Sequence, residues 1–173
     1  GILTLSGTAT SAAYQAALRT VQYRNLAGAL PNTGLRSITF AIGSAVANGA
    51  NGHFYEYVSF SGSWTSARTN AAARTYLGLR GYLATLTSAA ENDFVRQKLT
   101  NDGWIGAQSN PETTYPRTWY WVTGPEAGTG FCSNPSSGTC TAVNGGYSNW
   151  AAGEPNNSGG EGCGQIYFAN SGR

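Results

Sequence analysis

Apolar and polar positions follow one another along this chain in three different rhythms. Near the amino end, ILTL (2–5) and RSITFAI (36–42) read as strands. Ile38, Phe40 and Ile42 share one face of the second, the period-two spacing of a half-buried strand. Between them, Tyr14, Ala17, Leu18 and Val21 recur at helical spacing for one or two turns, and Pro31-Asn32-Thr33-Gly34 is turn chemistry. Residues 44–52 are small and polar and read as a linker.

Beyond the linker the pattern becomes aromatic. HFYEYVSF (53–60) alternates and predicts a strand. Ser63 is a candidate N-cap, and Trp64, Ala67, Ala71, Tyr76 and Leu79 keep a roughly helical rhythm that predicts a helix over 63–79, broken by Gly81. Tyr82 to Leu86 is a short extended piece. Ser88-Ala89-Ala90-Glu91 is a capping box, in which the Ser88 hydroxyl accepts from the Glu91 amide and the Glu91 carboxylate reaches back to Ser88. Phe94, Val95 and Leu99 supply the apolar face of the helix that follows, to about Thr100. WIGAQ, TWYWVTG and CGQIYFA then read as strands. The stretch from Gly124 to Ser158 has almost no periodicity, and a loop that long in a compact domain is usually functional.

Composition narrows the function classes. Hydrophobic residues make up 40% of the 173 residues and aromatics 12%, which supplies a core and excludes a disordered chain. No apolar stretch is long enough to span a membrane. Ten basic residues against eight acidic ones leave a net charge of +2, and the arginines are scattered, which argues against a nucleic-acid partner. All the acidic residues lie after position 55, so the composition changes between the two ends of the chain, as two units would make it do.

Cys132 and Cys140 bracket a Ser/Gly/Pro/Asn loop and predict a local disulfide, which requires an oxidising, extracellular compartment. Cys163 has no partner on this count, which leaves a free thiol, a second chain, or a partner outside the sequence.

The order of segments from residue 53 onward resembles a C-type lectin-like domain. WIGA (104–107) is similar to that family's core strand motif, WAAGEPNN (150–157) to its long-loop sugar and calcium motif, and Glu161-Gly162-Cys163 to the acid and cysteine that follow it. The resemblance implies an α+β fold over 53–173: two helices, small antiparallel sheets and a long loop region. Residues 1–43 resemble the end of a cadherin-like or immunoglobulin-like repeat of bacterial surface proteins, a short β-rich segment. It implies a chain that begins inside one repeat and stops before the family's Trp-Asn-Asp element and a further cysteine, the natural partner of Cys163. The family's cysteine in the first helix has no counterpart in 63–79, so packing of Trp64, Trp104, Trp119, Trp121 and Trp150 has to carry more of the fold.

The resemblance further implies that Glu154, Asn156 and Glu161 bind Ca2+ and, with Trp150, a carbohydrate. Carboxylates and carboxamides are the oxygen donors a hard cation needs; Glu154 and Asn156 flank a proline, so their side-chain oxygens can point the same way, and a cis bond before Pro155, if present, would cost little. The Glu-Pro-Asn order implies mannose, glucose or fucose ligands. With two of the family's ligands, an Asn and an Asp, absent, the isolated chain is expected to hold calcium weakly. The implied whole is a calcium-dependent lectin or adhesin module of a larger secreted or cell-surface protein, with glycans and further copies or domains of that protein as partners. The plainer reading makes Gly153–Asn157 only a turn, in a structural or protein-interaction module of a surface assembly. Enzymatic readings are weaker. His53, the sole histidine, follows the linker without a nucleophile beside it, and Glu154 with Glu161 stand in a polar, Asn- and Gly-rich loop.

Overall fold

The structure, a computed structural model, describes residues 10–22, 41–42 and 44–169. The backbone divides into two compact units, Gly1–Ile38 and Thr39–Arg173. In the first, α1 (Ser11–Arg19) is capped by Thr10, whose hydroxyl accepts from the Ala13 amide at 3.3 Å, and Arg19 lies in the last turn, where a cation suits the helix dipole. The strand expected at 2–5, the turn at 31–34 and most of the strand at 36–42 lie outside the described residues.

The second unit opens with a small antiparallel sheet, β1 (Ala41–Ile42), β2 (Ala45–Ala47) and β3 (Phe54–Tyr55), in that order. The expected linker over 44–52 is therefore a strand and a turn. Small side chains let β2 pair on both edges, and Asn48, buried, closes the turn: its Oδ1 accepts from the Ala50 amide at 3.0 Å and its own amide donates to the His53 carbonyl at 2.8 Å. The strand read over 53–60 contributes only Phe54–Tyr55 to a ladder. Its alternation still sorts the faces, since Tyr55 and Tyr57 pack against the core while Phe54, Val58 and Phe60 are exposed.

α2 (Trp64–Ala73) begins where Ser63 predicts, the Ser63 hydroxyl accepting from the Ser66 amide at 3.2 Å. It stops short of the expected Leu79. Arg74 turns extended, and β4 (Thr75–Tyr76) pairs with β5 (Leu79–Arg80) around Leu77 and Gly78, both at positive φ. That turn conformation is one a helix cannot contain, and the rhythm that placed Tyr76 and Leu79 on a helix was coincidental. α3 (Ala89–Arg96) starts at Ser88, which accepts from the Glu91 amide at 3.2 Å. The reciprocal half of the box is corrected: the Glu91 carboxylate accepts instead from the Thr87 amide (2.7 Å), the Thr87 hydroxyl (2.8 Å), the Asn51 carboxamide (2.9 Å) and the Tyr55 hydroxyl. Although a carboxylate is costly to bury, four donors make this one a staple between α3 and the β2–β3 turn.

A five-stranded antiparallel sheet follows, in the order β10-β6-β7-β8-β9: β6 (Gly103–Asn110), β7 (Arg117–Trp121), β8 (Gly130–Asn134), β9 (Thr141–Ala142) and β10 (Cys163–Ile166). β8 and β9 fall in the stretch without periodicity. Four of the five β8 residues are buried, so no alternation marks it. In β7, Arg117, Trp119 and Trp121 all face inward. Trp121 stacks on Phe131 with centroids 4.3 Å apart, and the core adds Leu86, Val95, Leu99, Ile105, Ala107 and Ile166. Trp64 packs with Ala67 and Leu83, its indole N–H donating to the Ile105 carbonyl at 2.8 Å. The described residues thus form an α+β architecture with small antiparallel sheets. No helix among them is long and apolar enough to cross a membrane.

Candidate functional site

The sheet places one end of β6, β7, β8 and β10 beneath the long loop, and Arg117, the first residue of β7, stands at that end. It is 2% exposed. Its Nε donates to Asn134 Oδ1 at 2.8 Å. Its Nη1 lies 2.7 Å from the Glu161 carbonyl, 2.9 Å from the Glu112 carbonyl and 3.2 Å from Asn157 Oδ1. The guanidinium carbon sits over the Tyr115 and Trp119 rings, 4.9 and 5.1 Å from their centroids. Asn134, fully buried at the end of β8, carries the network onward: its carboxamide donates to the Ser136 carbonyl at 2.7 Å and to the Thr139 carbonyl. Asn157 adds a donation to the Thr113 carbonyl at 2.6 Å.

On this base sits the Glu154–Pro155–Asn156 turn, with a cis bond before Pro155. Both Glu154 oxygens face Asn156: Oε2 accepts from its amide at 3.0 Å and Oε1 from its carboxamide at 2.7 Å. Asn156 Oδ1 accepts from the Ser158 amide at 2.6 Å. The Pro155 carbonyl accepts from the Gly138 amide at 3.1 Å and the Tyr115 hydroxyl at 3.3 Å, and Ser137 donates to the Asn156 carbonyl at 3.1 Å. The turn is therefore seated on the loop closed by the Cys132–Cys140 disulfide, which is present as expected. Cys163 is a half-buried free thiol, its pKa pushed up by burial and by the Glu112 charge.

Glu161 is exposed, and the contact that anchors it is its backbone carbonyl on Arg117. Its carboxylate and that of Glu154 both act on the Tyr167 phenol, whose pKa is raised first by burial and then by Glu154, Glu161 and Asp102. Trp150 leans on Trp119, with centroids 4.7 Å apart, and packs against the core. Trp150 thereby helps to anchor the loop to the core.

Glu154 and Asn156 carry oxygen donors of the kind calcium takes. Glu154 and Asn156 satisfy each other through one hydrogen bond per carboxylate oxygen, which leaves lone pairs on both oxygens for a cation. Two carboxylates and one carboxamide fall short of the ~6–8 oxygens calcium takes. Among the described residues no three His, Cys, Asp or Glu side chains are grouped to hold a metal. His53 lies near the Tyr55 and Tyr82 rings, with no nucleophile beside it among the described contacts.

Arg117 escaped the sequence reading because one arginine in an aromatic strand carries no motif. A second feature it missed is a cleft of about 800 Å3 whose walls include Phe54, Tyr57, Val58, Phe60, Leu79 and Leu83.

Halomucin of Haloquadratum walsbyi is 41% identical to the chain over 160 residues, which is 90% of this chain and 2% of halomucin. The chain thus spans only a small fraction of the curated relative it matches. No family model matches the chain, and no solved structure does.

Proposed function

We propose that the chain is an extracellular carbohydrate-binding module of a much larger surface protein, built on a C-type lectin-like fold over residues 53–173. The observation that carries this reading is the Glu154–Asn156 pair, clamped across Pro155 with an acceptor and a donor side by side. Two adjacent sugar hydroxyls need that pairing, since each hydroxyl both donates and accepts. Glu154, Asn156 and Glu161 would hold a calcium ion, with water or other protein completing its shell. Bound there, calcium would supply positive charge to the same hydroxyls. Mannose, glucose and fucose, with neighbouring equatorial hydroxyls, are the first ligands to test. The similarity to a short piece of halomucin, 2% of its length, supports membership of a much longer protein, and the Cys132–Cys140 disulfide supports an oxidising location.

The test is a glycan array probed with the full chain in calcium and in chelator. Binding to mannose-type glycans that is lost in chelator and in Glu154→Ala supports the reading. Equal signals in all three conditions, or none, reject it. A second reading is favoured by the way Glu154 and Asn156 already satisfy each other: the loop is then a rigid surface of a structural or protein-interaction module, with no sugar ligand.

A further inference from the structure

We propose that Arg117 is the positioning residue of the long loop: a cation belonging to the chain itself, around which the loop is organised in place of a metal ion. The consequence for ligand binding rests on the reading above, whereas the organisation of the loop does not.

Several oxygens converge on the Arg117 guanidinium. Four of the oxygens around it come from segments far apart in sequence: the carbonyls of Glu112 and Glu161 and the side-chain oxygens of Asn134 and Asn157. Two are backbone carbonyls and two are carboxamides, the same neutral oxygen donors that line cation sites. Aromatic faces of Tyr115 and Trp119 cover it from the sides. Among the described residues no carboxylate comes within ion-pairing distance of it. A buried charge without a counter-ion is costly unless oriented dipoles replace the lost water, and here the β6–β7 connection, Asn134 of β8 and residues 157–161 supply those dipoles. The compensation is incomplete, because Nη2 is buried with no partner among the described residues. Movement of residues 157–161 away from Arg117 breaks its hydrogen bonds to Asn157 and Glu161, while Arg117 is held in place by its backbone pairing to Asn134 in the β7–β8 ladder.

Each partner then fixes a different part of the site. Asn134 orders the disulfide-closed loop that seats Pro155. Asn157 follows Asn156 directly, and Glu161 is held by its carbonyl so that its side chain leaves the interior. Glu154, Asn156 and Glu161 are thus presented by a scaffold that needs no metal.

Hydrogen exchange on the full chain, read by mass spectrometry in chelator and in calcium, tests this. The wild type is expected to protect amides over 134–139 and 154–162 equally in both. Arg117→Gln is expected to lower that protection by about tenfold or more, while β6 amides paired to β10 stay protected. Arg117→Lys, which keeps the charge but not the fork that reaches Asn134 and Glu161 together, is expected to restore it only in part. Should Arg117→Gln fail to fold, Asn157→Gly removes one oxygen while suiting the positive φ at 157, and is expected to release 157–162 alone. Loop protection that appears only with calcium, or that survives Arg117→Gln and Asn157→Gly, overturns the proposal. Glycan binding enters neither readout, so the two proposals fail separately.

Discussion

The Gly138 amide donates to the Pro155 carbonyl over 3.1 Å, joining the disulfide-closed loop to the turn that carries Glu154 and Asn156. Gly138 has φ +71°, and a Cβ there would lie 3.2 Å from the Gly153 carbonyl oxygen. Gly138→Ala is expected to cost about 1–3 kcal/mol and to loosen the turn from beneath. Faster amide exchange at 156 and 158 with unchanged exchange in β6 checks this; an unaltered turn refutes it.

The same seat depends on the covalent closure of its loop. Replacing Cys132 and Cys140 together by Ala is expected to cost about 2–3 kcal/mol, chiefly by freeing the unfolded chain. Thermal unfolding should fall by roughly 5–10 °C. Any calcium or sugar affinity should weaken with it, because Ser137 and Gly138 no longer hold residues 155 and 156 in place.

Glu91 is a buried acid whose role is structural. It is 4% exposed and serves four donors. Glu91→Ala removes the acceptor shared by Tyr55, Asn51 and Thr87, of which only Tyr55 is partly buried, and is expected to destabilise by about 1–3 kcal/mol. Glu91→Gln keeps one acceptor oxygen and should cost less. Urea unfolding of the two variants decides, and equal midpoints would reject the network.

Stability should fall in alkali. Burial, and then the bond to Glu91, raise the Tyr55 pKa far above its ordinary 10.0, and burial raises those of Tyr82, Tyr147 and Tyr167. Between the unfolded and folded values the unfolded chain releases protons that the folded chain keeps, so stability is full below about pH 10 and declines as pH rises beyond it. Cys163, raised from 9.0, starts the decline slightly earlier. Urea midpoints from pH 8 to 11 should show this slope, and Tyr55→Phe should flatten it.

If the Glu154–Asn156 pair reads sugar hydroxyls, exchanging acceptor for donor changes which diol fits. Glu154→Gln with Asn156→Asp is expected to move preference from mannose toward galactose by about tenfold or more, the scale of a misplaced hydrogen bond. Unchanged selectivity on a glycan array would show that another surface does the reading.

Local chemistry decided what could be read from the residues alone. Ser63 and Ser88 start helices because a hydroxyl beside a free amide needs nothing distant. Gly103–Asn110 and Arg117–Trp121 announce strands through their branched and aromatic content. The Cys132–Cys140 bridge followed from short spacing in a turn-rich loop. Tertiary structure decided the rest. Helical rhythm over 63–79 gave way to a hairpin at Leu77-Gly78, and the supposed linker became a strand because β1 and β3 lie beside it. Glu91 left its own cap for Tyr55 and Asn51 on another element. Above all, the oxygens that meet Arg117 come from residues 112, 134, 157 and 161, which only the pairing of β6, β7, β8 and β10 brings to one point. Periodicity records which face of an element is buried, and it carries no record of which distant atoms will satisfy a buried charge.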